Sequence, residues 1–244
     1  MASQIDPTFD TMYGGEHAAA DMVPWDIGGP QPVVQQLVAY GGVRGRVLDA
    51  GTGPGYHAIH CASHGYSVVG VDASAAAIDR AEHNAERAGV RVDFQVADAT
   101  TLTGFDDCFD TVIDCAFYHV LADDEEAQAR YAHTLHRVTR PGARLFMFEL
   151  GRHPVNGVHL DGLSADTLER VLTTARWRID HLSTSTYLSV FSPQTMAFLA
   201  QVESGRGIAP VMKSLVEQLE TTGAARDSQL VHLPVWALAA TRLD

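Results

Sequence analysis

The residues whose types and spacing could do chemistry begin at positions 47–55, which read VLDAGTGPG. An apolar run typical of a buried parallel strand ends in an acid, and glycines follow at every second position. Glycines let the backbone turn sharply and approach a ligand with no Cβ in the way. A helix predicted near 55–64 would direct its free N–H groups toward the same place. The stretch predicts a nucleotide-type crevice, with an ordinary strand-to-helix turn as the alternative.

The position of the acid indicates which nucleotide would bind. A dinucleotide-binding turn reads G-x-G-x-x-G and places a pyrophosphate at the helix N-terminus. Here Asp49 precedes the glycines, and its carboxylate would repel a pyrophosphate, which disfavours a dehydrogenase. It suits a ligand with an ammonium group, and S-adenosylmethionine carries an amine, a sulfonium, a ribose and an adenine without phosphate. The expected cofactor contacts in this loop are Asp49, Gly51, Thr52 and Gly53.

Two more predicted strands end in an acid. Asp72 stands 23 positions after Asp49, close to the separation of about 20 at which an acid reaches the ribose hydroxyls in doubly wound folds. Asp98 ends the third strand, where it could accept a hydrogen bond from the adenine amino group. Helix capping or a solvated turn is the alternative role for each acid. The expected contacts over ribose and adenine are Asp72, Ala73, Asp98 and Ala99.

From about Arg46 to Leu150 the chain resembles the class I S-adenosylmethionine-dependent methyltransferases. The motifs above carry the resemblance, together with a fourth strand at 109–114 and a Pro-Gly turn at the end of 135–142. It implies a Rossmann-like α/β fold, whose seven-stranded, mostly parallel sheet has an antiparallel edge strand and helices on both faces. It also implies S-adenosyl-L-methionine as cofactor, leaving S-adenosyl-L-homocysteine as product.

The segment after the fourth strand, 114–119, is expected beside the cofactor sulfur. The cofactor supplies the electrophile, so the protein must hold the acceptor atom about 3–3.5 Å from the methyl group. His119 is the first candidate for a general base or substrate-orienting group, because its unperturbed pKa lies near about 6.5. An ordinary surface or core histidine is the alternative. Phe117 and Tyr118 offer flat walls for an aromatic substrate or pack in the core. Asp114 binds the cofactor or is buried against backbone N–H groups.

The N-terminal segment is the second informative place. Trp25 lies among prolines before the first strand, and a ring of that size favours a segment folded over the cofactor pocket. We expect Tyr13 and Trp25 to contact the cofactor and Trp25 also the substrate; a plain structural cap is the alternative. The pattern Pro-Trp-Asp-x-Gly-x-Pro resembles methyltransferases near the thiopurine group. It resembles more closely the bacterial heterocyclic toxin methyltransferases, which O-methylate hydroxylated quinolone-type compounds.

Two further motifs add to that closer match, the run at 117–124 and the closing LPVW at 233–236, whereas 151–161 matches no pattern. The resemblance implies O-methylation of a small hydroxylated heteroaromatic compound of the 1-hydroxyquinolin-4-one type, as a detoxification or modification reaction. The alternatives are an N- or S-methyltransferase of another small molecule, or a non-catalytic protein that binds the cofactor.

Composition limits the partners. A net charge of −13 argues against nucleic acid, and no run approaches the roughly 20 apolar residues of a membrane span. Cys61, Cys108 and Cys115 are odd in number without metal-type spacing, which fits a reducing cytoplasm. No metal is expected, because a magnesium-dependent mechanism would need a second acid and an amide near Asp114, and no such pair is evident. We expect a cytoplasmic monomer or homodimer that takes a small aromatic substrate.

One domain, 1–244, is predicted, with residues 1–44 as a cap over the cofactor site. Alternating strands and helices predict a parallel sheet covered on both faces. The expected strands lie near 45–49, 67–72, 91–96, 109–115, 143–150, 176–187 and 233–242, and the helices near 55–64, 74–88, 124–139 and 164–175. A two-helix insertion, 190–230, is expected before the last strand, with helices near 194–202 and 208–219 as part of a lid.

Overall fold

The structure is a computed structural model that describes Tyr13, residues 23–192, Thr195, residues 215–219, Thr221 and residues 230–244. Its elements in chain order are α1 (Pro32–Ala39), β1 (Arg46–Ala50), α2 (Tyr56–Ser63), β2 (Ser67–Asp72), α3 (Ala75–Ala88), β3 (Asp93–Val96), β4 (Phe109–Cys115), a 3-10 helix (Tyr118–Leu121), α4 (Glu125–Val138), β5 (Thr139–Leu150), α5 (Ala165–Thr174), β6 (Trp177–Val190) and β7 (Leu230–Arg242).

The strands form one seven-stranded sheet in the order β3-β2-β1-β4-β5-β7-β6. The first five pair in parallel, and β7 runs antiparallel to both β5 and β6. The predicted mostly parallel sheet with an antiparallel pair at one edge is therefore confirmed. The strand order reverses between β1 and β4, and in open α/β sheets ligands bind at the carboxyl ends of the strands at such a point. The glycine loop that follows Asp49 lies there.

The sheet is covered on both faces, as its apolar strands require. Neighbouring residues of β4 illustrate this, because Val112 and Ile113 are both fully buried but belong to different apolar clusters. Val112 packs in the cluster that includes α4 and α5, and Ile113 in the cluster that includes α1 and α2. Side chains alternate along a strand, so Asp114 lies on the same face as Val112.

The edge strands differ most from their predicted bounds. β6 and β7 form one antiparallel ladder from Trp177 paired with Arg242 to Val190 paired with Leu230, with a register shift between Ile179 and His181. Both strands therefore extend further than predicted at the ends that the insertion connects. Most of the predicted insertion, 190–230, lies outside the described residues, as do both of its predicted helices apart from Thr195 and residues 215–219. That stretch is helical, and Leu215 and Leu219 are buried against the sheet. Of the predicted cap, 1–44, the residues before Val23 other than Tyr13 also lie outside the described residues.

Candidate active site

The glycine loop between β1 and α2 is tied together by the predicted acid. Asp49 Oδ2 accepts hydrogen bonds from Thr52 Oγ1 at 2.6 Å and from the backbone N–H of Ala58 at 3.1 Å. Gly51 and Gly53 have φ angles of +69° and +51°, in the left-handed region that favours glycine. One carboxylate thus links the end of the strand, the loop and the first turn of α2.

Asp49 is a buried charge whose natural partner is a cation. It is 1% exposed, and burial raises its pKa to about 6 against the opposing hydrogen bonds from Thr52 and Ala58. Among the described residues no basic side chain forms an ion pair with Asp49. The donor chemistry of the loop therefore fits a ligand that brings an ammonium group and no phosphate.

The acids after β2 and β3 lie at the same edge of the sheet and also hold their own turns. Asp72 Oδ2 accepts from Gly53 N at 2.9 Å, and its Oδ1 accepts from Ser74 N at 2.9 Å. Burial raises the pKa of Asp72. Asp98 Oδ1 accepts from the backbone N–H and the hydroxyl of Thr100 at 2.8 and 2.7 Å. Both acids therefore make the turn contacts named as alternatives while lying where the crevice requires them. Beside them, Ala73 is half-buried and Ala99 is buried.

Two aromatic residues of the N-terminal segment lie at the glycine loop. Trp25 Nε1 donates a hydrogen bond to the hydroxyl oxygen of Tyr13 at 2.6 Å, and the two rings pack edge-on. A Cβ built on Gly53 would lie 2.9 Å from that hydroxyl oxygen. Burial and the charge of Asp72 raise the pKa of Tyr13. The structure thus brings Tyr13 and Trp25 to the part of the loop that sequence reasoning assigned to the cofactor.

Residues 23–31, here called the strap, are anchored by side chains that sequence reasoning missed. The buried amide of Gln31 bonds both main-chain groups of Leu188 in β6, each at 2.9 Å. Asp26 forms a buried ion pair with Arg80 of α3. A polar residue fixed between prolines was the available signal, but its partners are distant in sequence.

The segment after β4 packs directly against the glycine loop. A Cβ on Gly51 would lie 2.6 Å from Phe117 Cβ, so this close approach requires glycine. Ala116 has a φ of +70°, an uncommon value for a residue with a side chain. The half-buried ring of Phe117 meets Tyr131 edge-on at 5.2 Å between centroids. Phe117 therefore packs between the glycine loop and Tyr131 of α4.

His119 is held in one orientation by an acid from β5. Both its backbone N–H and its ring Nδ1 lie 2.9 Å from Glu149 Oε2. A carboxylate accepts hydrogen bonds, so this contact favours the tautomer with the proton on Nδ1 and leaves Nε2 as an acceptor. Burial lowers the pKa of His119 to about 4, so the ring is neutral at pH 7.

Two predicted site residues lie in the interior instead. Asp114 is 0% exposed and accepts from Phe117 N at 3.1 Å and from Tyr131 Oη at 2.8 Å, on the face covered by α4. Asp49 lies on the other face, so Asp114 takes the alternative role, buried against a backbone N–H. Tyr118 is 1% exposed and its hydroxyl donates to Gln128 Oε1. The 3-10 helix turns Tyr118 inward, so its ring belongs to the core and not to a substrate wall.

Glu149 is the acid that sequence reasoning missed. An acid does lie beside Asp114 in the interior, Glu149 of β5, which was not expected there. Its place at the carboxyl end of a strand is the same signal that identified Asp49, Asp72 and Asp98. Within the described ranges, no three His, Cys, Asp or Glu side chains are grouped so as to hold a metal ion.

The indole ring of Trp236 lies on the same face of the sheet as Glu149. Trp236 of β7 pairs opposite Glu149, and its Nε1 donates to the carbonyl of Leu163 at 2.8 Å. The His153 ring lies 4.7 Å from the Trp236 ring, between centroids. Both ring nitrogens of His153 are buried without a hydrogen-bond partner among the described residues. The segment 151–161, which matched no pattern, thus contributes a polar group that packs on Trp236.

The chain is similar to known proteins over most of its length. A family model described as a methyltransferase domain matches residues 47–142. The "2-heptyl-1-hydroxyquinolin-4(1H)-one methyltransferase" of Mycobacteroides abscessus is 34% identical over 190 residues, covering 75% of this chain and 82% of that protein. The family match thus spans β1 to the Pro-Gly turn in β5, and the similarity to this relative extends beyond it.

Solved structures give the same architecture. A structure from work on "conversion of a disulfide bond into a thioacetal group during echinomycin biosynthesis" has a TM-score of 0.72 and 29% identity, covering 97% of this chain and 92% of that one. The 1,6-didemethyltoxoflavin-N1-methyltransferase of Burkholderia thailandensis has a TM-score of 0.55 and 18% identity, covering 93% and 79%, and shares the fold. In the described part of the chain, no helix has the length and apolar character needed to cross a membrane.

Proposed function

The chain belongs to the S-adenosylmethionine-dependent methyltransferases, and we propose that it methylates an oxygen of a small hydroxylated heteroaromatic compound of the 1-hydroxyquinolin-4-one type. S-adenosylmethionine is its cofactor. The observation that carries the proposal is the fixed His119 ring, whose Nδ1 lies 2.9 Å from Glu149 while Nε2 remains an acceptor. The similarity to the Mycobacteroides abscessus hydroxyquinolone methyltransferase supports the substrate class.

The cofactor site proposed here uses the carboxyl edge of β1, β2 and β3. Asp49 would pair with the ammonium group, because it is a buried carboxylate without a basic partner among the described residues. Asp72 would accept from ribose hydroxyls and Asp98 from the adenine amino group. The remaining proposed contacts are Tyr13, Trp25, Gly51, Thr52, Gly53, Ala73 and Ala99. When bound, the cofactor supplies an electrophilic methyl group.

The chain's own residues would position and deprotonate the acceptor. Phe117 and Trp25 would lie against the flat ring system, and His119 Nε2 would accept a hydrogen bond from the acceptor hydroxyl. His119 Nε2 would take up that proton while the acceptor oxygen receives the methyl group that the bound cofactor would supply, and S-adenosyl-L-homocysteine would remain as the product. An acidic N-hydroxyl is largely ionised at neutral pH, so His119 then needs only to orient it.

The direct test is a methylation assay read by mass. A 2-alkyl-1-hydroxyquinolin-4-one is incubated with the protein and cofactor beside matched phenol, thiol and amine acceptors. We expect an O-methylated quinolone and a kcat lowered by roughly 100-fold or less in His119→Ala, with unchanged cofactor affinity. His133→Ala, an exposed histidine on α4, is the control and should behave as the wild type.

Other outcomes would decide against parts of the proposal. Wild-type turnover in His119→Ala would remove His119 from the reaction. Methylation of the thiol in preference to the quinolone would favour a sulfur acceptor. The similarity to the structure from work on thioacetal formation supports testing that alternative. Cofactor binding with no product from any acceptor would favour a non-catalytic binding protein.

A further inference from the structure

Glu149 is bound on one oxygen only, and both bonds come from one residue. Its Oε2 lies 2.9 Å from His119 N and 2.9 Å from His119 Nδ1. Its Oε1 is buried and has no hydrogen-bond partner among the described residues. A buried carboxylate oxygen left without a donor is costly, so a donor must be supplied there.

Asp114 is the group that can supply it. Asp114 lies within hydrogen-bonding reach of Glu149, and a bond between two carboxyl groups requires a proton on one of them. Asp114 also accepts hydrogen bonds from Phe117 N and Tyr131 Oη, and its carboxyl group is fully buried. Asp114 and Glu149 would repel each other strongly if both were ionised within hydrogen-bonding reach in the interior, so one of them holds a proton.

We propose that Asp114 and Glu149 hold one proton between them in the working state, and that this pair is a positioning device that keeps the proton of His119 on Nδ1. The inference rests on the proposed function of His119 and adds two residues that act through it. Asp114 donates to Glu149 Oε1, Glu149 Oε2 accepts from His119, and Nε2 faces the acceptor. Asp114 and Glu149 do not touch the substrate.

The surroundings keep the pair isolated. The titratable groups that face it are Tyr118 and His119 from the 3-10 helix and Tyr131 from α4, while Cys115 of β4 lies nearby on the opposite face of the sheet. Trp236, opposite Glu149 in β7, carries no charge. Among the described residues, His119 is therefore the one basic group in contact with the pair.

The direction of each pKa shift agrees with this arrangement. Burial and the Glu149 charge raise the pKa of Asp114 well above its usual value, while burial raises that of Glu149 to about 7. Above pH 7 the pair carries one proton and one negative charge. When the acceptor O–H bond breaks and an Nε2–H bond forms, the imidazolium lies 2.9 Å from that charge and is stabilised by it. The proton then leaves Nε2 for solvent with the product.

The first test needs neither cofactor nor acceptor. Nitrogen-15 NMR of the His119 ring at pH 7.5–8, a range chosen above the pKa of about 7 given for Glu149, should show Nδ1 protonated and Nε2 unprotonated. Infrared difference spectra should show a buried carboxylic acid that disappears in Asp114→Asn. The Asn amide can still donate to Glu149 Oε1, so this variant should keep the His119 tautomer. Protonated Nε2 in the wild type, or no buried carboxylic acid, would overturn the proposal.

The second test uses kinetics. Glu149→Gln should lower kcat by about 10- to 100-fold without raising KM for the cofactor, and should abolish the rise of kcat through about pH 7. Glu126→Gln, an exposed carboxylate on α4, is the control. An unchanged pH profile in a folded Glu149→Gln protein would overturn the proposal. If the expected NMR and infrared signals are found but no quinolone is methylated, the proposed substrate fails while the proton-sharing pair stands.

Discussion

At the scale of single residues, the acids at the strand ends are distinguished by the face of the sheet on which they lie. Asp49 points to the side of α2 and bonds its first turn, whereas Asp114 points to the side of α4 and bonds Tyr131. In the register of the sheet Asp49 pairs with Ile113 and Asp114 with Ala50, so the two acids are one position apart and lie on opposite faces. We therefore expect Asp49 to govern cofactor binding and Asp114 to govern the state of Glu149 and His119.

The charge of Asp49 should set the pH dependence of cofactor binding. In the cofactor-free protein the pKa of Asp49 is about 6, so below that pH its carboxyl group is protonated. It must then lose this proton before it can pair with an ammonium group. We expect calorimetry to show an affinity that is constant above pH 7 and falls about tenfold per pH unit well below pH 6.

The variant Asp49→Asn should lose most of that pH dependence and bind the cofactor about 10-fold more weakly at pH 7.5. Asp93→Asn, an exposed carboxylate on β3, is the matched control. An Asp49→Asn protein with wild-type affinity would show that Asp49 only holds the loop.

Gly51 allows a test that separates backbone strain from close contact. Gly51→Ala would place a Cβ 2.6 Å from Phe117 Cβ at a φ of +69°. Gly65→Ala has a similar φ of +88° but no atom within 4 Å of the new Cβ. Each substitution should cost about 1 kcal/mol for the strained φ, and Gly51→Ala a further 1–3 kcal/mol, roughly, for overpacking. Urea unfolding measures the difference, and equal losses would mean that Phe117 moves aside without cost.

At the scale of elements, the site is assembled from segments far apart in the chain. The strap 23–31 reaches the glycine loop only because β6 and α3 hold it, through Gln31 and Asp26. The 3-10 helix turns Tyr118 into the core and leaves His119 at the site. The placement of Trp25 and His119 therefore depends on elements that carry no cofactor contact themselves.

Loss of the Gln31 clamp should loosen the strap. Gln31→Glu keeps the size of the side chain but replaces the N–H donor to Leu188 O with a carboxylate oxygen. We expect a loss of about 1–3 kcal/mol in the free energy of unfolding, faster amide exchange over residues 23–31 and weaker cofactor binding. Gln35→Glu is the control, because Gln35 is exposed while also donating to a main-chain carbonyl, that of Pro30. Unchanged exchange in Gln31→Glu would mean that other contacts fix the strap.

At the scale of the whole molecule, two sets of buried titratable groups should act in opposite directions on the pH dependence of the cofactor-free protein's stability between about pH 4 and 7. The pKa values of Asp49 and Glu149 are raised to about 6 and 7, so their contribution is present at low pH and lost as pH rises through those values. The pKa values of His57 and His119 are lowered to about 4. Their contribution is present above the usual histidine pKa and lost as pH falls toward 4.

Urea unfolding from pH 4 to 9, a range that brackets the shifted pKa values, checks this profile. The Glu149 shift alone corresponds to on the order of 3 kcal/mol of unfolding free energy. Glu149→Gln removes one of the opposing groups, so its unfolding free energy should rise more steeply with pH between about 4 and 7 than that of the wild type. Parallel profiles in the two proteins would show that Glu149 is ionised without cost.

The sequence by itself determined the order of the elements, the glycine loop and the chemistry of its cofactor. Those features are local: Asp49 and its glycines are adjacent, and buried strands read as apolar runs whatever their neighbours are. The predicted bounds were accordingly close for α3 and β2, where caps and turns are written in adjacent residues such as Ser74 and Gly89.

Only the tertiary structure decided which side chains meet. It paired Glu149 with His119 across 30 positions and Gln31 with Leu188 across 157, and it moved Asp114 and Tyr118 from the expected site into the core. The physical reason is that contacts between strands depend on register and on the face to which each residue points. Alternation within one strand gives relative orientation, but which face receives which helix is fixed only when the sheet is assembled.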